Sequence, residues 1–246
     1  MQKKTDFVLS VFQKPESYLN SSAYNVRIRQ ETVQGFLKNE SVTRILDIGC
    51  GDGSLSLPLL NSRRCLTLLD FSDGMLSVAR SRIPNELIDH VEILKQDALS
   101  ANFCPHSFDV ILCIGVLAHL DPPDALLEKI SYWLKPGGSL ILQHTEADHI
   151  MTWITRGMER LRGLFRPEKY QRSEIRSSEV LGFLAFEGFA LQATFRYSLP
   201  LLGTQRIASQ EILYRMIRFV FGAYPCTRMA SWGNECLYHL KSKTVQ

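Results

Sequence analysis

The sequence of 246 residues lacks several features that would fix its class at once. Its six cysteines form no Cys-x-x-Cys pair, and no cysteine–histidine cluster has the spacing of a zinc site. Several of them sit inside apolar runs and read as small buried hydrophobes, a pattern that suits a reducing compartment. Long hydrophobic runs are missing too. The longest, 110–118, falls well short of the roughly 18 residues a membrane-crossing helix needs. The apolar stretch from Phe7 to Phe12 is too short for a signal peptide, so a cytoplasmic location is expected. There is little charge of either sign in excess: 28 Lys and Arg against 25 Asp and Glu, a net charge of +3. No phosphate track along the whole chain follows from that balance, and no nucleic-acid partner is expected. Internal repeats and low-complexity tracts are absent. With 45% hydrophobic and 22% charged residues, the chain is neither disordered nor fibrous. Its length suits one large domain or one domain with an elaboration.

What is present is alternation. Short β-branched or leucine-rich runs alternate with helical patterns, which argues for βαβ units and a parallel sheet. Strands are expected at 44–48, 66–70, 91–94, 108–114 and 139–143. Helices are expected at 54–61, 73–82 and 122–134, the last with Asp121 as N-cap and a proline at its start. Lys135-Pro136-Gly137-Gly138 reads as a turn. Beyond Thr145 the pattern predicts a basic amphipathic helix over 150–172, a helix at 178–186, a strand at 189–197, a helix at 205–221 and a last strand at 235–241. Residues 6–38 read as helical. The expected division is an N-terminal helical cap (1–40), an α/β core (41–145), a helical lid insertion (146–172) and a C-terminal part of the sheet with helices (173–246).

The segment Leu46-Asp47-Ile48-Gly49-Cys50-Gly51-Asp52-Gly53-Ser54 joins the first strand to the helix expected after it. Its glycines let the backbone turn tightly and approach a ligand closely. A helix N-terminus beyond would offer N–H groups to negative charge. The spacing is Gly-x-Gly-x-Gly, not the Gly-x-Gly-x-x-Gly of dinucleotide binders. Asp47, two residues ahead of the first glycine, would repel a pyrophosphate but suits a cationic or amino-bearing ligand. Asp70 ends the second strand, where a carboxylate can accept from both ribose hydroxyls. Asp97 follows the third strand, where an acceptor meets an adenine amino group. Together the three carboxylates describe a nucleoside that carries an amino acid and no phosphates. Each also has a plainer use: Asp47 can tie down the loop, Asp97 can serve a turn, and Met75 at helical spacing can be core.

Five segments together resemble the class I S-adenosylmethionine-dependent methyltransferase family: 46–53, 68–76, Gln96-Asp97-Ala98, 108–120 and 134–142, in family order and with family spacing. The resemblance implies a doubly wound, Rossmann-like, seven-stranded, mostly parallel α/β sheet with a final antiparallel strand, plus N-terminal and lid helices. It implies S-adenosyl-L-methionine as cofactor. Gly49 and Gly51 would lie under the methionine part, and Asp47 would help hold its amino group. Asp70 would take the ribose hydroxyls, Phe71 and Met75 would pack near the adenine, and Asp97 with Ala98 would read its edge. Ile114 would present backbone towards the methionine and the transferring methyl.

Methyl transfer from a sulfonium is an in-line displacement, so the protein must mainly align the reactants and exclude water. For an alcohol or phenol acceptor a base helps by taking the proton. His119, after the fourth strand, and His144, ending the fifth, stand where sites in open α/β sheets lie; an oriented nucleophile with no base is the other option. His149, with Glu146 and Asp148 nearby, lies just beyond. Asp121-Pro122-Pro123-Asp124 resembles the Asp-Pro-Pro-Tyr of amino-group methyltransferases acting on nucleic acid bases. It falls past the strand end and lacks the aromatic residue, and a proline starting a helix explains it better. No metal site is expected. Tyr24, Arg27 or Arg29 offers a cover over the cofactor, with an arginine to pair its carboxylate; surface arginines of a helix are the plainer reading. The basic helix at 150–172, with Trp153 and Phe165 on its apolar face, reads as a lid, or more sharply as a surface that touches anionic lipid. The function expected is methyl transfer to a small, apolar molecule at oxygen. The alternatives are carbon or nitrogen methylation of a lipid-like or quinone-like acceptor, a cofactor-binding protein without turnover, and a nicotinamide oxidoreductase, against which the spacing of the third glycine argues.

Overall fold

Continuous Val/Ile/Leu runs become strands covered on both faces, as a parallel sheet between helices requires. The computed structural model describes residues 15–120, 122–163, 175–199, 208–229 and 232–243. In chain order its elements are α1 (Pro15–Phe36), β1 (Arg44–Ile48), β2 (Cys65–Asp70), α2 (Asp73–Ser81), β3 (Val91–Lys95), β4 (Phe108–Ile114), α3 (Asp124–Trp133), β5 (Leu134–Thr145), α4 (Ile150–Gly163), α5 (Ser177–Phe186), β6 (Phe189–Tyr197), α6 (Gln210–Phe221) and β7 (Glu235–Ser242). A two-residue ladder also joins 222–223 to 226–227. The seven long strands form one sheet in the order β3-β2-β1-β4-β5-β7-β6. β7 runs antiparallel to both neighbours, with Tyr238 opposite Leu142 of β5 and Leu237 opposite Phe195 of β6. This is the doubly wound, mostly parallel sheet expected. Its strand order reverses between β1 and β4, and ligands of such sheets bind outside the carboxyl ends of the strands at that reversal.

Two hydrophobic layers flank the sheet. One joins Tyr24, Ile28, Val33 and Phe36 of α1 with Leu213, Ile217 and Phe221 of α6 over Ile45, Leu112 and Ile141. The other packs Leu126, Ile130 and Trp133 of α3 and Leu184 of α5 against Leu46, Ile111 and Leu142. Each such side chain contributes about 1.5–3 kcal/mol on burial, so α1 and α6 are tied to the strand ends that carry the site.

The structure departs from the sequence pattern at three places. Residues 57–59 make a single 3-10 turn after the glycine loop, in place of the helix expected over 54–61. Pro58 cannot donate the N–H an α-helix interior needs, and its ring crowds the preceding turn. β5 begins at Leu134, so Lys135–Gly138 is drawn into the strand, with a register irregularity opposite Phe108 and Val110. α3 begins at Asp124 with Pro123 at its N-cap. The N-cap expected for it, Asp121, lies outside the described residues, as do 6–14, 164–172 and 205–207 of the other expected helices.

Cys50, Cys113 and Cys236 are buried, Cys65, Cys104 and Cys226 are exposed, and all six are free. Among the described residues there is no cluster of metal ligands and no helix long and apolar enough to cross a membrane.

Candidate active site

At the carboxyl end of β1, Gly49, Gly51 and Gly53 take φ values of 65°, 55° and 73°, a region that costs a residue with a Cβ about 1–2 kcal/mol. Their surroundings differ. A Cβ on Gly49 would stand 2.5 Å from Val116 Cγ2, whereas one on Gly51 would meet nothing within 4 Å. Gly49 lets the chain after β4 close on the chain after β1. Gly51 faces open space, a backbone cradle on which a ligand can rest and which a side chain would fill.

Two carboxylates hold this loop. Asp70 Oδ2 accepts from the Gly51 N–H at 2.9 Å, and its Oδ1 accepts from the Ser72 N–H at 2.8 Å. Burial pushes the Asp70 carboxyl above the usual carboxylate range, against the pull of the Ser72, Gly51 and Phe71 N–H groups. Asp47 is buried beneath the loop, and its Oδ2 accepts from Ser56 Oγ at 2.5 Å. Burial, opposed by the Ser56 hydrogen bond and reinforced by Asp70 and Asp52, pushes Asp47 up to about 7. Asp47 is therefore engaged with the Ser56 hydroxyl beneath the loop. Asp52 accepts from the Ser54 N–H and Oγ and pairs with Arg82. Because no α-helix follows, the helix N-terminus expected to attract negative charge is absent, and with it the dipole that would favour a pyrophosphate.

The next two strand ends complete the row. Phe71 follows Asp70 and is half-buried. Asp97 is exposed, its Oδ1 accepting from the Leu99 N–H at 2.7 Å, which fixes the carboxylate in its turn. Ala98 beside it packs partly buried on the second hydrophobic layer. Met75 is only 2% exposed, and its N–H is capped by Ser72 Oγ; it packs within the fold and offers no open surface to an adenine.

Ile114 ends β4, and Gly115 follows at φ 79°. Here the fold assembles a group that sequence patterns do not bring together. A Cβ on Gly115 would lie 3.7 Å from Arg29 Nη1 and 3.9 Å from Gln143 Oε1. Glu235 Oε2 accepts from Gln143 Nε2 at 2.6 Å and pairs with Arg29 Nη2 at 3.3 Å, while its Oε1 accepts from Thr145 Oγ1 at 2.8 Å. Arg29 Nε donates to Tyr197 Oη at 3.3 Å, and Tyr197 donates in turn to Asn25 Oδ1. These side chains come from α1, β5, β6 and β7. Arg29 is one of the three cover residues the sequence suggests; Gln143 and Glu235 are not anticipated at all. Their one signal is a polar residue at the end of an otherwise apolar strand.

The two candidate bases are placed differently. His119 is half-buried in the 3-10 turn 117–119 directly after β4, its N–H donating to Val116 O at 2.9 Å. His144 is buried against α5: its ring lies 5.6 Å from that of Tyr238, and its Nε2 is 3.3 Å from Ser177 Oγ. Burial lowers its pKa, and its Nδ1 has no partner. Beyond β5, Thr152 Oγ1 and Trp153 Nε1 of α4 donate to the carbonyls of Glu146 and Ala147. Ile150, Trp153 and Ile154 on that helix are exposed.

Residues 45–138 match the family model for a methyltransferase domain. Magnesium protoporphyrin IX methyltransferase from Synechocystis PCC 6803, solved with SAH bound, shares the fold with a TM-score of 0.69 over 98% of this chain and 100% of that one, at 15% identity. Residues 45–138 thus carry a methyltransferase domain, and the whole chain shares the fold of a methyltransferase. Among similar proteins, the ubiquinone biosynthesis O-methyltransferase of Caulobacter vibrioides is 28% identical over 188 residues, 70% of each chain. The protein of the same name from Idiomarina loihiensis is 28% identical over 156 residues, 56% of this chain and 63% of its own, so the match spans less than two thirds of that relative. The residues present fit S-adenosylmethionine, the cofactor the sequence resemblance implies: an open glycine cradle at Gly51 and a carboxylate at each of two successive strand ends.

Proposed function

We propose that this methyltransferase transfers the methyl group of S-adenosylmethionine to an oxygen of a small, apolar acceptor in the cytoplasm. The observation that carries the choice of oxygen is the likeness, over 70% of the chain, to a ubiquinone biosynthesis O-methyltransferase. When bound, the cofactor supplies a methyl group already activated on a sulfonium. The chain's own residues then bind, orient and exclude water. Gly49 and Gly51 offer backbone to the methionine part. Asp70 keeps lone pairs for the ribose hydroxyls while it holds Gly51. Phe71 flanks the adenine, with Met75 packed behind it, and Asp97 with Ala98 reads the adenine edge. Ile114 presents backbone towards the methyl, and Arg29, already held by Glu235 and Tyr197, adds positive charge for the carboxylate.

His119 is the base in this reading: it takes the acceptor's hydroxyl proton on an imidazole nitrogen as the oxygen attacks. His144, buried against Tyr238, supports the site through packing instead. The exposed ridge of Ile150, Trp153 and Ile154 suits a lid over an apolar acceptor, and contact with an anionic lipid surface that delivers one.

The test is incubation with methyl-labelled S-adenosylmethionine and a panel of apolar phenols, catechols and quinols, with amines and carbon acids alongside. A labelled methyl ether is the expected product. Label on nitrogen or carbon, or tight binding of S-adenosylhomocysteine (SAH) with no turnover on any member, overturns the reading.

A further inference from the structure

The ammonium of the cofactor's amino-acid end needs a partner, and Asp47 is already engaged with Ser56 beneath the loop. Two strands away lies a group of the right kind. Gln143 is 3% exposed, and its Oε1 is a buried acceptor with no hydrogen-bond partner. An amide oxygen left so costs about 1–3 kcal/mol, and folded proteins keep few of them.

The sense of this amide is fixed chemically. Glu235 Oε2, 2.6 Å from Gln143 Nε2, already pairs with Arg29 and matches a donor, so the NH2 must face Glu235 and the oxygen must face away. The oxygen lies beside Gly115, the residue after Ile114. A Cβ there would stand 3.9 Å from Gln143 Oε1 and 3.7 Å from Arg29 Nη1, so the acceptor and the guanidinium converge on that glycine. A ligand that reaches both atoms must carry a hydrogen-bond donor and a negative charge close together. The α-ammonium and α-carboxylate of an amino acid meet that demand.

We infer that Gln143 Oε1 receives the ammonium of the cofactor's methionine end, with Glu235 a positioning residue that holds the amide in the accepting sense. The assignment rests on the cofactor reading given above.

Calorimetric titration separates the two. SAH binding to the wild-type protein tests the cofactor reading itself; no binding overturns both. Given binding, Gln143→Met is expected to weaken SAH roughly tenfold or more. It should leave 5′-methylthioadenosine, which lacks the amino-acid end, unchanged, and that ligand also reports that the variant is folded. Deamino-SAH, without the ammonium, should bind wild type and variant alike. Equal SAH affinity in the two proteins, or an equal loss for the deamino compound, overturns the assignment and leaves the cofactor reading standing. Gln143→Asn keeps the amide but shortens its reach, and the same pattern is expected if the Met variant does not fold. Glu235→Gln, which no longer forces the sense of the amide, should weaken SAH several-fold with methylthioadenosine again unmoved; a loss on both ligands would make Glu235 merely structural.

Discussion

Gly51 donates its backbone N–H to Asp70 Oδ2 at 2.9 Å, so the carboxylate at the end of β2 also sets the loop at the end of β1. One side chain thereby couples cradle and ribose position. Asp70→Ala removes both at once. SAH affinity should fall by roughly 1.5–3 kcal/mol, the range for hydrogen bonds to a charged group, and methylthioadenosine should lose the ribose share of that, because it keeps the ribose but not the methionine part that rests on the Gly51 cradle. Calorimetric dissociation constants for the two ligands check this. Unchanged values would remove Asp70 from the site.

Gly49 and Gly51 share a backbone conformation but not an environment, and alanine should tell them apart. Gly49→Ala meets Val116 Cγ2 as well as the left-handed strain, so it should destabilise the fold by roughly 2 kcal/mol or more. Trimming the obstacle in Gly49→Ala/Val116→Ala should recover the overlap part and leave the strain. Gly51→Ala carries only the strain, about 1–2 kcal/mol, yet should cost more SAH affinity because its methyl enters the cradle. Urea unfolding and SAH titration of the three variants decide the matter; equal destabilisation with no relief from the Val116 change would refute the division.

The strands were legible because burial on both faces demands continuous apolar runs, and Ile45, Leu112 and Ile141 supply them. Glycines, Asp70 and Asp97 were legible because sheet topology alone fixes what stands at strand ends. The helix expected over 54–61 from local apolar spacing does not form, because the missing N–H of Pro58 decides the conformation in so short a segment. The Arg29–Gln143–Glu235 group was invisible for a different reason. Arg29 and Glu235 are 206 residues apart, and no local period links an α1 arginine to an antiparallel strand inserted between β5 and β6. The fate of Asp47 likewise depended on Ser56 lying in a tight turn rather than on a helix.

The two histidines should separate by what their loss affects. His119→Ala is expected to lower kcat about 100-fold, the scale of general-base catalysis, with SAH affinity unchanged. His144→Ala should instead lower stability. Because burial depresses the pKa of His144 below 6.5, the unfolded chain binds the proton more readily, and His144 should cost stability as pH falls below about 6.5. Replacing it should flatten that part of the profile. A His119 variant with near-normal kcat would leave alignment as the whole mechanism. A His144 variant with wild-type stability at every pH would contradict its buried placement.

Asp47 should show the opposite pH sign. Its folded carboxyl stands at about 7 against an ordinary 3.8. Between those values the folded state keeps a proton that the unfolded chain has lost, so stability falls as pH rises through the window and levels off above it. The full effect is on the order of 4 kcal/mol, the free-energy equivalent of that displacement. Asp47→Asn keeps an oxygen that can accept from Ser56 Oγ but cannot ionise. Its stability relative to wild type should therefore improve as pH rises from about 4 to 8, with most of the gain in place by neutrality. Urea unfolding of both proteins at closely spaced pH values measures the difference directly, and parallel profiles would show that Asp47 is not the buried, proton-holding anchor of the glycine loop.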